Sequence, residues 1–248
     1  MKLKKHLAQG NIIYFCSNEQ QLSVAENEHY RWLCLNNTVQ SFMLKRKPWQ
    51  LILPHQLAMA LPLLLFTPQN VLEFGLGGGA LSRYIKHRLP QCSLTTVELS
   101  AEVITCFERF FKPQESSTHI INSDAELWLK AQAALNFDWI VMDIFLSIED
   151  SVISYHLIDT LLNQAQQPSI ITLNLPNEKE QQINTLLQKL KLTPNIDIIY
   201  FTIPHYKNIV IHILPLAKKS NTLTYQHSSL PKHQQIRWRK LWQQGVKL

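Results

Sequence analysis

The sequence predicts an α/β fold in two parts, a small N-terminal antiparallel β domain followed by a large open sheet of mostly parallel strands with helices on both faces. Short apolar runs broken by polar turns fill the first part. After it, short β-rich runs alternate with segments of helical period, the pattern of a parallel sheet. Four of the chain's six glycines then crowd into positions 75–79, between the first of those runs and the helix that follows.

The elements follow in order. Residues 12–15, 22–24, 32–35 and 39–43 read as strands, with Asn36-Asn37 suited to a turn. Residues 54–66 read as one largely apolar helix. Strands at 71–74, 94–98, near Ile120, 139–143 and 170–173 alternate with helices at 80–87, 101–111, 124–134 and in the stretch after residue 143. A further amphipathic helix spans 178–192, and 196–203 with 209–214 reads as a closing antiparallel pair. This divides the chain into a β domain over 1–50, a Rossmann-like nucleoside-binding domain over 51–215 and a basic helical extension over 216–248.

Composition narrows the function. The 248 residues are 46% hydrophobic, enough for a sizeable core, and carry 24 Lys+Arg against 18 Asp+Glu. Beyond Glu180 only Asp197 is acidic, so the C-terminal part is strongly basic, which reads as a solvated face or as a surface for a polyanion. Cys16, Cys34, Cys92 and Cys106 have no spacing that suits zinc or a redox pair, and His55, His205 and His212 form no group with metal-ligand spacing, so no metal is expected. The most apolar run, 57–66, is too short to cross a bilayer and contains Pro62, and no secretory signal opens the chain. The expected setting is cytoplasmic, with no membrane.

In an open α/β sheet the ligand lies at the carboxyl ends of the strands. Gly75, Gly77, Gly78 and Gly79 follow the first parallel strand, where the lack of a Cβ lets a ligand approach the backbone. Glu98 closes the next strand, where an acid accepts from ribose hydroxyls. Asp124 suits the adenine amino group and is also a good helix N-cap. Asp143 ends an apolar strand, where a carboxylate is costly unless it is hydrogen-bonded or used. A dinucleotide site places its third glycine three positions after the second, and Gly75-Leu76-Gly77-Gly78-Gly79 does not. The spacing favours an adenosyl sulfonium over NAD, which stays as an alternative.

The runs EHYRWLCLNNTVQSFM, VLEFGLGGGALSRYI, TTVEL, INSDAELWL, FDWIVMDIF and TIPHY resemble the polyamine aminopropyltransferases, the spermidine synthases, which share the fold of class I S-adenosylmethionine-dependent methyltransferases. The resemblance implies a methyltransferase-type sheet and a homodimer. It implies a nucleoside held by Gln40, the glycines, Glu98 with Leu99, and Asp124 with Ala125. Asp143 falls on the family's catalytic carboxylate, and Tyr206 on a tyrosine of the acceptor pocket. The chain departs from the family on the acceptor side. Gly78 and Leu146 replace aspartates, and the gate helix reads Pro54-His55-Gln56 where the family has Tyr, His and an acid.

The implied activity is transfer of an aminopropyl or methyl group from decarboxylated or intact S-adenosylmethionine to a small-molecule amine, with Asp143 as general base and Tyr206 orienting the acceptor, beside which His205 also falls. A diamine is dicationic near neutral pH, so the missing carboxylates point to an acceptor other than an ordinary diamine. Two other readings stand beside this one. A non-catalytic nucleoside-binding member of the family fits the depleted acceptor side. A nucleic-acid methyltransferase is suggested by Arg237-Trp238-Arg239-Lys240 and Trp242, but Trp238 and Trp242 share one helix face and Ile144-Phe145-Leu146 lacks an Asn-Pro-Pro-aromatic loop, so nucleic acid is not favoured.

Overall fold

The computed structural model describes residues 3–17, 21–112, 118–144, 155–165, 169–176, 180–216 and 230–248. A short helix α1 (Leu3–Ala8) leads into a four-stranded antiparallel meander, β1 (Asn11–Cys16), β2 (Leu22–Glu26), β3 (Tyr30–Leu35) and β4 (Thr38–Leu44), in the order β1-β2-β3-β4. Asn36 and Asn37 both take positive φ in the two-residue turn between β3 and β4, which asparagine tolerates better than most residues. Opposite β3, the register passes from Leu33↔Ser41 to Cys34↔Val39, so Gln40 has no partner and forms a bulge that re-aims the side chains around it.

The expected helix over 54–66 is two pieces, α2 (Pro54–Met59) and a 3₁₀ turn (Leu61–Leu64). Pro62 has no N–H to continue the α-helical ladder. There follow β5 (Asn70–Phe74), α3 (Ala80–Arg88), β6 (Ser93–Glu98), α4 (Ala101–Cys106), β7 (His119–Asn122), α5 (Ala125–Lys130), β8 (Trp139–Met142), α6 (Tyr155–Gln164), β9 (Ile170–Pro176), α7 (Glu180–Lys191), β10 (Ile196–Thr202), β11 (Asn208–Pro215), α8 (Lys232–Trp242) and β12 (Val246–Lys247). The helix expected over 101–111 changes to a π turn at Phe107–Phe111. That expected over 124–134 ends by Lys130, and Leu135, fully buried, bridges to Ala165 instead. Glu178, the expected start of α7, and Leu146 lie outside the described residues.

The large sheet has the order β12-β10-β11-β9-β8-β5-β6-β7. β5 pairs in parallel with both β6 and β8, and the chain reverses its direction of progress across the sheet between them. The crevice at the carboxyl end of this switch point is where ligands sit in open α/β sheets. β11 inserts antiparallel between β9 and β10, as a closing hairpin must. β8 is buried on both faces: Trp139 and Val141 join the core under α3 and α8, and Ile140 and Met142 join the core under α6 and α7. Trp238 and Trp242 bury themselves from α8, with Trp238 stacked 5.9 Å from Tyr84 and Trp242 5.9 Å from Phe201. Their fourfold spacing therefore serves packing. Among the described residues no helix is long and apolar enough to cross a membrane.

Candidate functional site

The parallel strands deliver the singled-out residues to one edge of the sheet. Gly75, Gly77 and Gly79 have φ of +89°, +50° and +63°. A Cβ at Gly75 would stand 2.2 Å from the backbone oxygen of Asp143, so the glycine lets the loop after β5 press against the end of β8. Gly75 N–H donates to Val97 O (2.9 Å) and Asp143 N–H to Phe74 O (2.8 Å), which ties the loop to both neighbouring strands. Gly77 faces open space, with no atom within 4 Å of where its Cβ would be. Gly75→Ala is expected to cost more than about 2 kcal/mol, from the positive φ and the backbone clash together, read from denaturant unfolding.

Glu98, at the end of β6, accepts from Leu76 N–H (2.8 Å) and Ser100 N–H (2.9 Å), one on each carboxylate oxygen. A carboxylate offers about four lone-pair sites, so it fixes the glycine loop and still has capacity for hydroxyl donors. Leu99 beside it is exposed. Asp124 caps α5, accepting from Leu127 N–H (2.9 Å), and Ala125 opens that helix.

Asp143 follows β8. Asn174 Nδ2 donates to Asp143 Oδ1 (2.7 Å), and Asn208 Nδ2 donates to Asn174 Oδ1 (3.0 Å), so Asn174, 4% exposed in the middle of an apolar strand, aims the carboxylate. His55, on α2, lies within electrostatic reach of it. Burial holds His55 below the usual imidazole range, against a smaller upward pull from Asp143, and its Nδ1 has no partner among the described residues. The Tyr206 ring stands edge-on to His55 at 6.2 Å, and Tyr206 is 36% exposed. His205 has φ +64° in the turn that presents Tyr206. Gln56 does not stand in for the acid of the family's gate helix. It is buried, and its Oε1 accepts from Ile52 N–H (3.3 Å) and Leu53 N–H (3.1 Å), satisfying backbone donors at the start of α2.

The helix carrying His55 is anchored from below. His212, fully buried on β11, bonds Ala58 O through Nε2 (3.1 Å) and Thr172 Oγ1 through Nδ1 (2.9 Å), and Trp139 Nε1 donates to the same Thr172 hydroxyl (2.9 Å). Donation to Ala58 O requires a proton on Nε2, and burial pushes the pKa of His212 down to about 3, so Nδ1 is left to accept from the Thr172 hydroxyl.

Behind the glycine loop lies a second polar group that composition and spacing do not flag. Glu73, in the middle of β5, is 2% exposed and accepts from the hydroxyls of Ser82 and Thr96 (3.1 Å). Burial raises its carboxyl to about 8. Arg83, on α3, is also 2% exposed. Its Nε donates to Pro48 O (2.7 Å) and its guanidinium lies 5.8 Å from the Phe111 ring. Ser41, on β4, fills the place a side chain at Gly78 would need, with Oγ 2.5 Å from that Cβ position. Among the described residues no three His, Cys, Asp or Glu side chains gather as metal ligands do.

The model of the spermine/spermidine synthase domain matches residues 52–226. The chain belongs to that family. Among its relatives, the polyamine aminopropyltransferase of Neisseria meningitidis serogroup A is 34% identical over 131 residues, 50% of this chain and 49% of the relative. The chain thus spans about half the length of the curated relatives it matches. The fold is that of solved family members. A probable spermidine synthase from Corynebacterium glutamicum superposes with a TM-score of 0.68 at 14% identity over 83% of this chain and 79% of that one. A spermidine synthase in complex with the transition state analogue AdoDATO gives 0.63 at 11% identity over 92% of this chain and 88% of that one. The mostly parallel sheet with its small antiparallel companion is the architecture expected from the sequence.

Proposed function

We propose that the chain is an alkyl transferase of the aminopropyltransferase type, which moves an aminopropyl or methyl group from decarboxylated or intact S-adenosylmethionine to an amine. The observation that carries this reading is the placement of Asp143: a carboxylate aimed by Asn174, against the glycine loop, within electrostatic reach of His55, whose ring meets Tyr206 edge-on. The residues fit an adenosyl group. The positive-φ glycines expose backbone, Glu98 keeps free acceptor capacity, and Gln40 Nε2 is buried without a partner among the described residues. AdoDATO, bound by the structural relative, is a ligand of this chemical kind.

The bound sulfonium supplies an electrophilic carbon and a neutral thioether as leaving group. What remains for the protein is to hold the acceptor amine in line and take its proton. Asp143 receives that proton, and Asn174 keeps the receiving carboxylate from rotating away. Tyr206 offers a hydroxyl and a ring edge at the half-open rim to orient the amine. His55, uncharged, adds no positive charge to repel a cationic acceptor. With Gly78 in the loop and Gln56 committed to helix α2, fewer carboxylates face the acceptor than in the family pattern, so the preferred amine carries less charge than a free diamine. The family resemblance gives a homodimer as the assembly that does this.

Incubation of the purified protein with either sulfonium donor and a panel of mono-, di- and acylated amines, followed by mass spectrometry, tests the reading. The expected product is an amine heavier by one aminopropyl or methyl group, with methylthioadenosine or S-adenosylhomocysteine as co-product. Binding of the nucleoside with no product from any amine would replace transfer by a purely binding role.

A further inference from the structure

Three segments that carry no acid meet around the C-terminal end of α3. Residues 45–50, 80–92 and 230–248 hold eleven of the chain's 24 Lys and Arg and no Asp or Glu. Contacts join them. Trp49 stacks on His87, with ring centroids 4.1 Å apart and planes at 15°, and Arg83 Nε donates to Pro48 O (2.7 Å). Arg88 Nη2 donates to Gln234 Oε1 (3.2 Å) on α8, and Gln234 Nε2 donates to the Tyr84 hydroxyl (2.7 Å). Arg237 stands three residues after Gln234 on the same helix and so neighbours the end of α3.

Lys45 is answered by Glu26, and Arg83 is buried. Arg46, Lys47, His87, Arg237 and Lys240 are exposed, and like charges gathered in this way raise a positive potential that draws a polyanion. The surface lies away from the site around Asp143. α3 starts at Gly79 in the glycine loop and reaches Arg88 about 13 Å further on.

What the surface turns outward decides among polyanions. On α8, Trp238 and Trp242 are buried and Ile236 is the one apolar residue that is exposed, so the helix has no apolar face to seat in a bilayer. Trp49 and His87 instead set a stacked aromatic pair among cations, the combination on which a single strand lays a base beside neutralised phosphates. We propose that this face binds single-stranded nucleic acid, with the cations of 45–50 and α8 against phosphates and the His87–Trp49 pair against a base. This is a docking role and not base modification, and it does not depend on the transferase reading.

Anisotropy of a fluorescein-labelled oligouridylate of about 15 nucleotides, titrated with the full chain over a series of salt concentrations, tests the proposal. Micromolar binding at low salt is expected, with log K falling against log[salt] at a slope of about −3, the mark of roughly four neutralised phosphates. Arg237→Ala combined with Lys240→Ala is expected to weaken binding at least about tenfold at low salt and to flatten that slope by about 1.4. His87→Ala is expected to weaken binding about fivefold or more with the slope unchanged, since it removes a stacking ring. All three side chains are exposed, so the variants are expected to keep the Tm of the parent. No binding at low salt overturns the proposal, as does binding that none of these variants weakens. Equal affinity for heparin, with His87→Ala without effect, overturns the assignment to a single strand. Preference for phosphatidylserine vesicles over the oligonucleotide replaces nucleic acid by an anionic bilayer and overturns it as well.

Discussion

Asp143→Asn is expected to lower turnover by about a hundredfold to ten-thousandfold, the range over which a positioned general base contributes, while methylthioadenosine affinity stays close to that of the native protein. The substitution is nearly isosteric. The amide it introduces can present its oxygen to Asn174 Nδ2, so the 2.7 Å bond and the local packing survive while the group that accepts a proton is gone. Loss of turnover then reports chemistry rather than folding. Asn174→Ala is the companion change: Asp143 loses the donor that aims it, and a smaller loss of turnover is expected. Measurement of kcat and KM for both variants against one amine decides the matter, and unchanged kcat in Asp143→Asn removes Asp143 from the reaction.

Acidification is expected to destabilise the fold through His212 by roughly 4–5 kcal/mol at most. The folded pKa is about 3 against an ordinary 6.5, so below 6.5 the unfolded chain takes up a proton that the folded chain refuses. Stability from this residue is complete above pH 6.5 and is lost as pH falls toward 3. His55, also lowered by burial, acts in the same direction. Glu73 acts in the opposite one: with a folded value of about 8 against 4.5, it loses stability as pH rises through that interval. The His212 part is isolated by His212→Gln, whose amide can accept from Thr172 and donate to Ala58 without titrating. Denaturant unfolding at a series of pH values between 7 and 4 is expected to show a shallower acid slope in that variant. Parallel slopes would mean that His212 is protonated in the folded protein and that the anchoring of α2 has been misread.

The parts of this fold that are legible in the sequence are those set by local pattern. The strands β5, β8 and β9 announce themselves as mostly apolar runs of strand length because both faces are covered, and the glycine cluster marks a sharp turn of the backbone between strand and helix. Asp143 stands out as the first polar residue after such a run, and Glu98 and Asp124 as acids at or just past the ends of β6 and β7; parallel pairing then brings the three to one edge. Pairings between distant segments are not legible in this way. Asn174 reads as an isolated polar residue in a strand until register sets it beside Asp143, thirty-one positions earlier. Ser41 comes against Gly78, thirty-seven positions later, only because β4 is set beside the glycine loop. The internal polarity of β9 carried a usable signal: Thr172 and Asn174, two apart, share a face and are both buried, which in an apolar strand requires partners. Gln56 shows the converse, a residue whose chemistry suits an acceptor pocket but whose amide is taken up by the first turn of its own helix.

Titration of the purified protein with methylthioadenosine isolates the adenosyl site, because that ligand carries the adenosine and thioether without any charged tail to recruit other contacts. Saturable one-to-one binding in the micromolar range is expected, weakened by at least about tenfold in Glu98→Ala, which removes the acceptor that also holds Leu76 of the glycine loop. Absence of binding at millimolar ligand, with the protein folded, would contradict it.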